Sequence, residues 1–218
     1  MKTEKQLQHD VLAELEWDPS VEASHIGVAT SADGVVTLTG HVASFREKDR
    51  AEEIARRVYG VLAIANDIEV KLAGDDRRTD ADIASAALAS LAWDSRIDEK
   101  RISLTVRDGW VTLKGSCDWM YQSEAATQDV RILSGVKGVT NSIKVTPPSR
   151  VADVERRIGD AFRRSADLDA RRVRIETTDG KVVLHGNVRS WAERAEAQQA
   201  AWSAPGVVQV DNRLVVTP

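Results

Sequence analysis

The sequence predicts an α+β chain of three tandem αββαβ modules, each a three-stranded mixed sheet with two helices packed on one face. Three observations carry this. An Asp-Gly pair recurs as Asp33-Gly34, Asp108-Gly109 and Asp179-Gly180, each time between runs in which apolar residues alternate. Each pair is followed by a second glycine (Gly40, Gly115, Gly186), a Gly-Val step (at Gly60, Gly135, Gly206) and an asparagine (Asn66, Asn141, Asn212). Every one of these marks shifts by 75 residues from the first copy to the second and by 71 from the second to the third. The period divides the chain of 218 residues into modules at 1–72, 79–147 and 149–218, joined by short linkers at 73–78 and around Pro147-Pro148-Ser149. An array of like units favours binding or scaffolding over catalysis, because catalysis needs one asymmetric pocket and these copies share turn and core residues.

Each module opens with a helix. Thr3 with Gln6 forms a capping box, in which the hydroxyl accepts from the backbone three residues on and the amide reaches back. Leu7, Val11 and Leu15, with Leu12 beside them, then give one apolar face. After Thr79 the corresponding face is Ile83, Ala87, Leu88 and Leu91, and in the third copy it is Val154, Ile158, Ala161 and Phe162. A strand follows at period two: Ile26 and Val28, then Ile102, Leu104 and Val106, then Val173 and Ile175. Asp-Gly between alternating runs predicts a type I′ hairpin, since both central residues need φ > 0; the first copy carries one extra residue before its turn.

The return strand turns Val36 and Leu38, Val111 and Leu113, or Val182 and Leu184 inward. The second helix carries Ala51, Ile54, Ala55 and Val58; Ala126, Val130 and Leu133; or Ala197, Ala200 and Ala201, small enough to lie close to the sheet. Gly60, Gly135 and Gly206 are expected to end it as left-handed caps. The last strand should run parallel to the second, because a helix returns the chain between them. Units of about 70 residues bury only about 60% of their unfolded surface, so contacts between modules are expected.

The net charge is −4 and the pI about 5.7, which argues against nucleic acid as partner. The charge is graded. Residues 1–72 hold 8 Lys/Arg against 13 Asp/Glu, residues 73–148 hold 10 against 11, and residues 149–218 hold 12 against 10, so the last module is the best candidate for an anionic partner. Cys117 is the only cysteine, which excludes an intrachain disulfide and a thiolate metal cluster. The N-terminal segment is charged and amphipathic, with no apolar signal region and no run long enough to cross a bilayer. The expectation is a cytoplasmic protein, or a periplasmic one where an export signal has been removed.

The Val-x-Leu-x-Gly run after each hairpin, the Ala-rich helix, the Gly-Val step and the Asn before the closing strand together resemble the BON domain family, over nearly the whole chain. That resemblance implies a small αββαβ domain without catalytic activity, associated with phospholipid or membrane surfaces and with osmotic or envelope stress. The third copy departs from the others in having Arg164-Ser165 where they have Trp17-Asp18 and Trp93-Asp94.

The candidate binding residues are few. Arg156, Arg157, Arg163 and Arg164 lie seven apart in pairs on the first helix of module three, a basic stripe that can rest on anionic lipid. Trp17 and Trp93 are expected to cover the core edge. Trp110 should point to the uncovered sheet face, because Val111 and Leu113 take the inward positions, and so should make a buried contact with a neighbouring module or a partner. Trp119 and Trp191 stand where a loop enters the second helix, as packing or contact anchors. The Asp-Gly carboxylates are assigned to turn chemistry, and the three asparagines to backbone hydrogen bonding. His9, His25, His41 and His185 show no metal-ligand spacing, and no nucleophile motif or phosphate-cradling loop occurs, so neither cofactor nor enzymatic activity is expected. The partner classes are an anionic phospholipid surface, a protein bound through Trp110, Trp119 and Trp191 as by a scaffold or chaperone, or a small ion such as potassium held by carbonyls at the glycine turns.

Overall fold

A computed structural model of the protein describes residues 2–72, 74, 78–147, 153–165 and 172–217. The first copy comprises α1 (Glu4–Trp17), β1 (Ile26–Thr30), β2 (Val35–Val42), α2 (Phe45–Arg57), β3 (Ala63–Asn66) and β4 (Glu69–Val70). The second comprises α3 (Asp80–Trp93), β5 (Ile102–Arg107), β6 (Trp110–Cys117), α4 (Met120–Arg131) and β7 (Gly138–Val145). The third comprises α5 (Val154–Arg164), β8 (Val173–Thr178), β9 (Lys181–Val188), α6 (Trp191–Trp202) and β10 (Gln209–Val216). The αββαβ order is that expected. Packing divides the chain into two compact units, residues 1–91, 104–112 and 128–140 in one and residues 92–103, 113–127 and 141–218 in the other, so the second copy supplies segments to both.

In each copy the second strand is central, with strand orders β1-β2-β3, β5-β6-β7 and β10-β9-β8. β1 runs antiparallel to β2 (Val28 opposite Leu38), and β8 antiparallel to β9 (Ile175 opposite Leu184). The closing strand runs parallel to the second, Val35 beside Ala63 and Lys181 beside Gln209. In the first copy that closing line is broken in two, but β4 resumes on β2 without a register shift, His41 beside Glu69.

The alternation read from the sequence places the core. Val36, Leu38, Val111, Leu113, Val182 and Leu184 are fully buried, and Ala51, Ala55, Ala126, Ala197 and Ala201 give their helices the close approach their size permits. In the first copy one cluster joins Leu7, Val11 and Leu15 of α1 and Ile54 of α2 to Val28, Val36 and Leu38, so both helices cover the same sheet face. The third copy repeats this with Val154, Ile158, Phe162, Ala197 and Leu214.

Two expectations are corrected. Asp108-Gly109 and Asp179-Gly180 have φ > 0 at both positions, as a type I′ turn requires; in the first copy only Gly34 does, because the extra residue makes a three-residue loop in which Ser31 pairs with Val35. Gly60, Gly135 and Gly206 do adopt left-handed φ, but in a turn beyond the helix; α2 is already closed by the bond from Val58 N–H to the Ala55 carbonyl. The glycine after the hairpin has the stricter role. A Cβ on Gly186 would stand 1.9 Å from the Arg172 carbonyl oxygen, and one on Gly40 would stand 2.0 Å from that of His25.

The asparagines clamp the closing strand to the second helix. Asn212 donates from Nδ2 to the Arg194 carbonyl and Gln198 Oε1, while its Oδ1 accepts from Leu214 N–H. Asn66 and Asn141 repeat the geometry on Lys48 and Ser123. Asn141 and Asn212 lie within β7 and β10, rather than where those strands begin.

Candidate functional site

The ends of α1 and α3 carry the most exposed large apolar side chains among the described residues. Leu7, Val11 and Leu15 face the core, and two further residues turn a helix by about 200°, so Trp17 projects away from it. Trp17 is 84% exposed and Trp93 is 89% exposed. The expectation that they cover the core edge is therefore wrong for both, and the two-residue offset from Leu15 and Leu91 was the signal that marked it. The aspartate after each tryptophan fixes the helix end. Asp18 Oδ1 accepts from Ser20 N–H at 3.0 Å and Ser20 Oγ at 2.5 Å, and its Oδ2 accepts from Arg50 Nη2 at 2.6 Å. These bonds, led by those from Ser20, hold the Asp18 carboxyl down at about 2. Asp94 likewise accepts from Arg96 N–H at 2.8 Å.

In the third copy Val154, Ile158 and Phe162 take the places of Leu7, Val11 and Leu15, so Arg164 stands at the position of Trp17. The four arginines do not form one stripe. Arg156 and Arg163 lie opposite the core and pair with Asp160, Arg156 at 3.5 Å, with Asp153 3.8 Å from Arg156. Arg157 and Arg164 occupy one flank, nearly in line because seven residues fall about 20° short of two turns. Both are exposed and make no ion pair among the described residues. Adjacent residues differ by about 100° around a helix, which is what splits each Arg-Arg pair.

Trp110 is half exposed on the outer sheet face, as expected of its side, but is not buried against another module. Its ring lies over Gly138, where a Cβ would come within 2.5 Å of it, and its Nε1 donates to Thr140 Oγ1 at 2.8 Å. Trp119 and Trp191 are half-buried at the starts of α4 and α6, Trp191 with the Arg194 guanidinium 5.4 Å above its ring. In the chain they stand at the first residue of β6, just before α4 and at the first residue of α6. His25 and His41 have ring centroids 4.7 Å apart, yet no group of three or more His, Cys, Asp or Glu among the described residues could hold a metal ion. No helix among the described residues is long and apolar enough to cross a membrane.

The model of one family, the BON domain, matches residues 3–71, 79–147 and 150–218. Among curated proteins, osmotically-inducible protein Y of Escherichia coli (strain K12) is 29% identical over 134 residues, which cover 57% of this chain and 64% of that protein. The match therefore spans somewhat less than two thirds of that relative. Among solved structures, the C-terminal domain of CdsD, the structural protein of the type III secretion system of Chlamydia trachomatis, aligns over 100% of both chains with 15% identity and a TM-score of 0.27. The PrgH periplasmic domain aligns over 89% of this chain and 96% of its own with 12% identity and a TM-score of 0.22. Likeness at that level carries no argument.

Proposed function

The chain belongs to the BON domain family, in three copies, and from that premise we propose that it is a non-enzymatic attachment protein for anionic phospholipid surfaces, acting in osmotic or envelope stress. The observation that supports this most is the shared locus at the end of each first helix: Trp17, Trp93 and Arg164. An indole held almost wholly in water is unfavourable for a soluble domain, and tryptophan is the side chain that prefers the boundary between headgroups and acyl chains. Arginine near an anionic leaflet contributes about 1 kcal/mol per side chain. Arg157 and Arg164, which make no ion pair among the described residues, supply cations for it; Arg156 and Arg163 are partly neutralised by Asp160. Each locus alone is weak. Joined in one chain they act through effective concentration, which is how modest single attachments become a stable one. The relative that is osmotically inducible supports the stress context.

Co-sedimentation with phosphatidylglycerol vesicles at low salt tests this. Wild type should pellet with the vesicles and be released as salt rises. Trp17→Ala/Trp93→Ala and Arg157→Glu/Arg164→Glu should each reduce the bound fraction, and the combined variant should remain in the supernatant. Wild type that stays in solution, or a combined variant that pellets equally, rejects the reading.

A further inference from the structure

The third copy has an open slot that the first copy fills with its own side chains. In the first copy Gln8 Nε2 on α1 donates to the Val28 carbonyl on the edge strand β1 at 2.6 Å, and Leu12 lies half-buried against the core. Aligning the copies through their buried residues, Val11 with Ile158 and Leu15 with Phe162, puts Glu155 in place of Gln8 and Gly159 in place of Leu12. A carboxylate cannot donate to a carbonyl, and glycine fills no space. Among the described residues a methyl group on Gly159 would touch Ile175 Cδ1 alone, at 4.0 Å. The result is a groove of about 970 Å³ between α5 and β8, floored by Val154, Phe162 and Ile175.

One side of this groove is a strand edge that pairs with no further strand among the described residues. β8 is the outer strand of its sheet. Its two-residue type I′ hairpin makes Thr178 and Lys181 a hydrogen-bonded pair, so by alternation Ile175 and Leu184 form a non-hydrogen-bonded pair. The N–H and C=O of Ile175 consequently face away from β9, as does the Val28 carbonyl that Gln8 satisfies. The six residues of β8 offer about 20 Å of such edge. Among the charges on the groove, Arg156 and Arg174 have carboxylate neighbours, whereas Glu155 makes no ion pair or hydrogen bond among the described residues.

We propose that this groove binds an extended, unfolded polypeptide segment, which adds to β8 as a further strand. The first copy shows what the slot accepts: an amide donor on the central carbonyl and a branched aliphatic group over the core. A peptide in extended conformation supplies both, its backbone N–H to Ile175 and every second side chain toward Gly159 and Phe162. Glu155 selects a Lys or Arg in the bound segment. This site is separate from the lipid-facing helix ends and would give the protein a second kind of partner.

The test uses the full chain and a short fluorescent peptide of alternating valine and lysine, read by fluorescence anisotropy. Glu155→Gln/Gly159→Leu rebuilds the clasp of the first copy, and should raise thermal stability while weakening peptide binding by about tenfold or more, or about 1.4 kcal/mol. The same peptide with a central proline, which lacks the N–H, and one with glutamate for lysine should both bind poorly to wild type. Wild type that fails to bind the valine-lysine peptide, or a more stable rebuilt variant that binds it unchanged, overturns the proposal. So does a rebuilt variant that keeps the peptide but loses phosphatidylglycerol vesicles, since that assigns the groove to lipid.

Discussion

Arg131 on α4 donates from Nη1 to Asp49 Oδ2 on α2 at 2.6 Å, joining the second helices of the first two copies across 82 residues of chain. Both side chains are about a third exposed or less, and Arg131 Nε is buried with no hydrogen-bond partner among the described residues. Asp49→Ala leaves the guanidinium without its acceptor and should lower the unfolding free energy by about 1–3 kcal/mol in urea denaturation. The pair also carries a pH signature. Burial outweighs the attraction of Arg131 and raises the Asp49 carboxyl above its ordinary 3.8. Between the ordinary and the raised value the folded chain binds more protons than the unfolded one, so stability falls as pH rises through that window. Asp49→Asn should lack that decline.

Asp18 behaves in the opposite sense. Its carboxyl is lowered from 3.8 to about 2, first by Ser20 and then by Arg50. Its contribution is present above the ordinary value and is lost as pH falls through the folded one. The stability difference between wild type and Asp18→Ala, measured by denaturant titration at a series of pH values, should be constant at neutral pH and shrink as pH is lowered from 3.8 toward 2. A difference unchanged at pH 2 would show that Asp18 acts by another route.

The asparagine clamp should be worth more than its surface position suggests. Asn212→Ala leaves the Arg194 carbonyl and Leu214 N–H without their side-chain partner and should cost about 1–3 kcal/mol in urea denaturation. Asn66→Ala and Asn141→Ala should behave alike, because the same two bonds recur in all three copies.

Much of this fold could be read from the residues, for reasons that differ by feature. Alternating Val36 and Leu38, with the Asp-Gly pairs, report strands and hairpins directly, since period and turn chemistry are local. The exposure of Trp17 is also a local matter, set by its position two residues past Leu15, whereas hydrophobicity alone points to the core. The splitting of the arginines has the same origin: a seven-residue spacing aligns Arg157 with Arg164 while placing Arg156 about 100° away beside Asp160. The start of the second helix held a further signal, Ser44 with Glu47 and Ser190 with Glu193. There Glu193, only 4% exposed, accepts from Arg189 N–H at 2.6 Å. The groove beside β8 was not legible, because it depends on what Glu155 and Gly159 fail to do for a strand that pairs elsewhere in the chain.

If Trp17 and Trp93 enter the headgroup boundary, tryptophan emission should report it when phosphatidylglycerol vesicles are added. Because both are exposed, Trp17→Ala/Trp93→Ala should change stability by no more than about 0.5 kcal/mol, which keeps the comparison between folded proteins. Wild type should show a blue shift on adding vesicles, quenched by brominated lipid, and the double variant should lose nearly all of it. An equal shift in the double variant, or none in wild type under low-salt conditions, would contradict that placement of the two tryptophans.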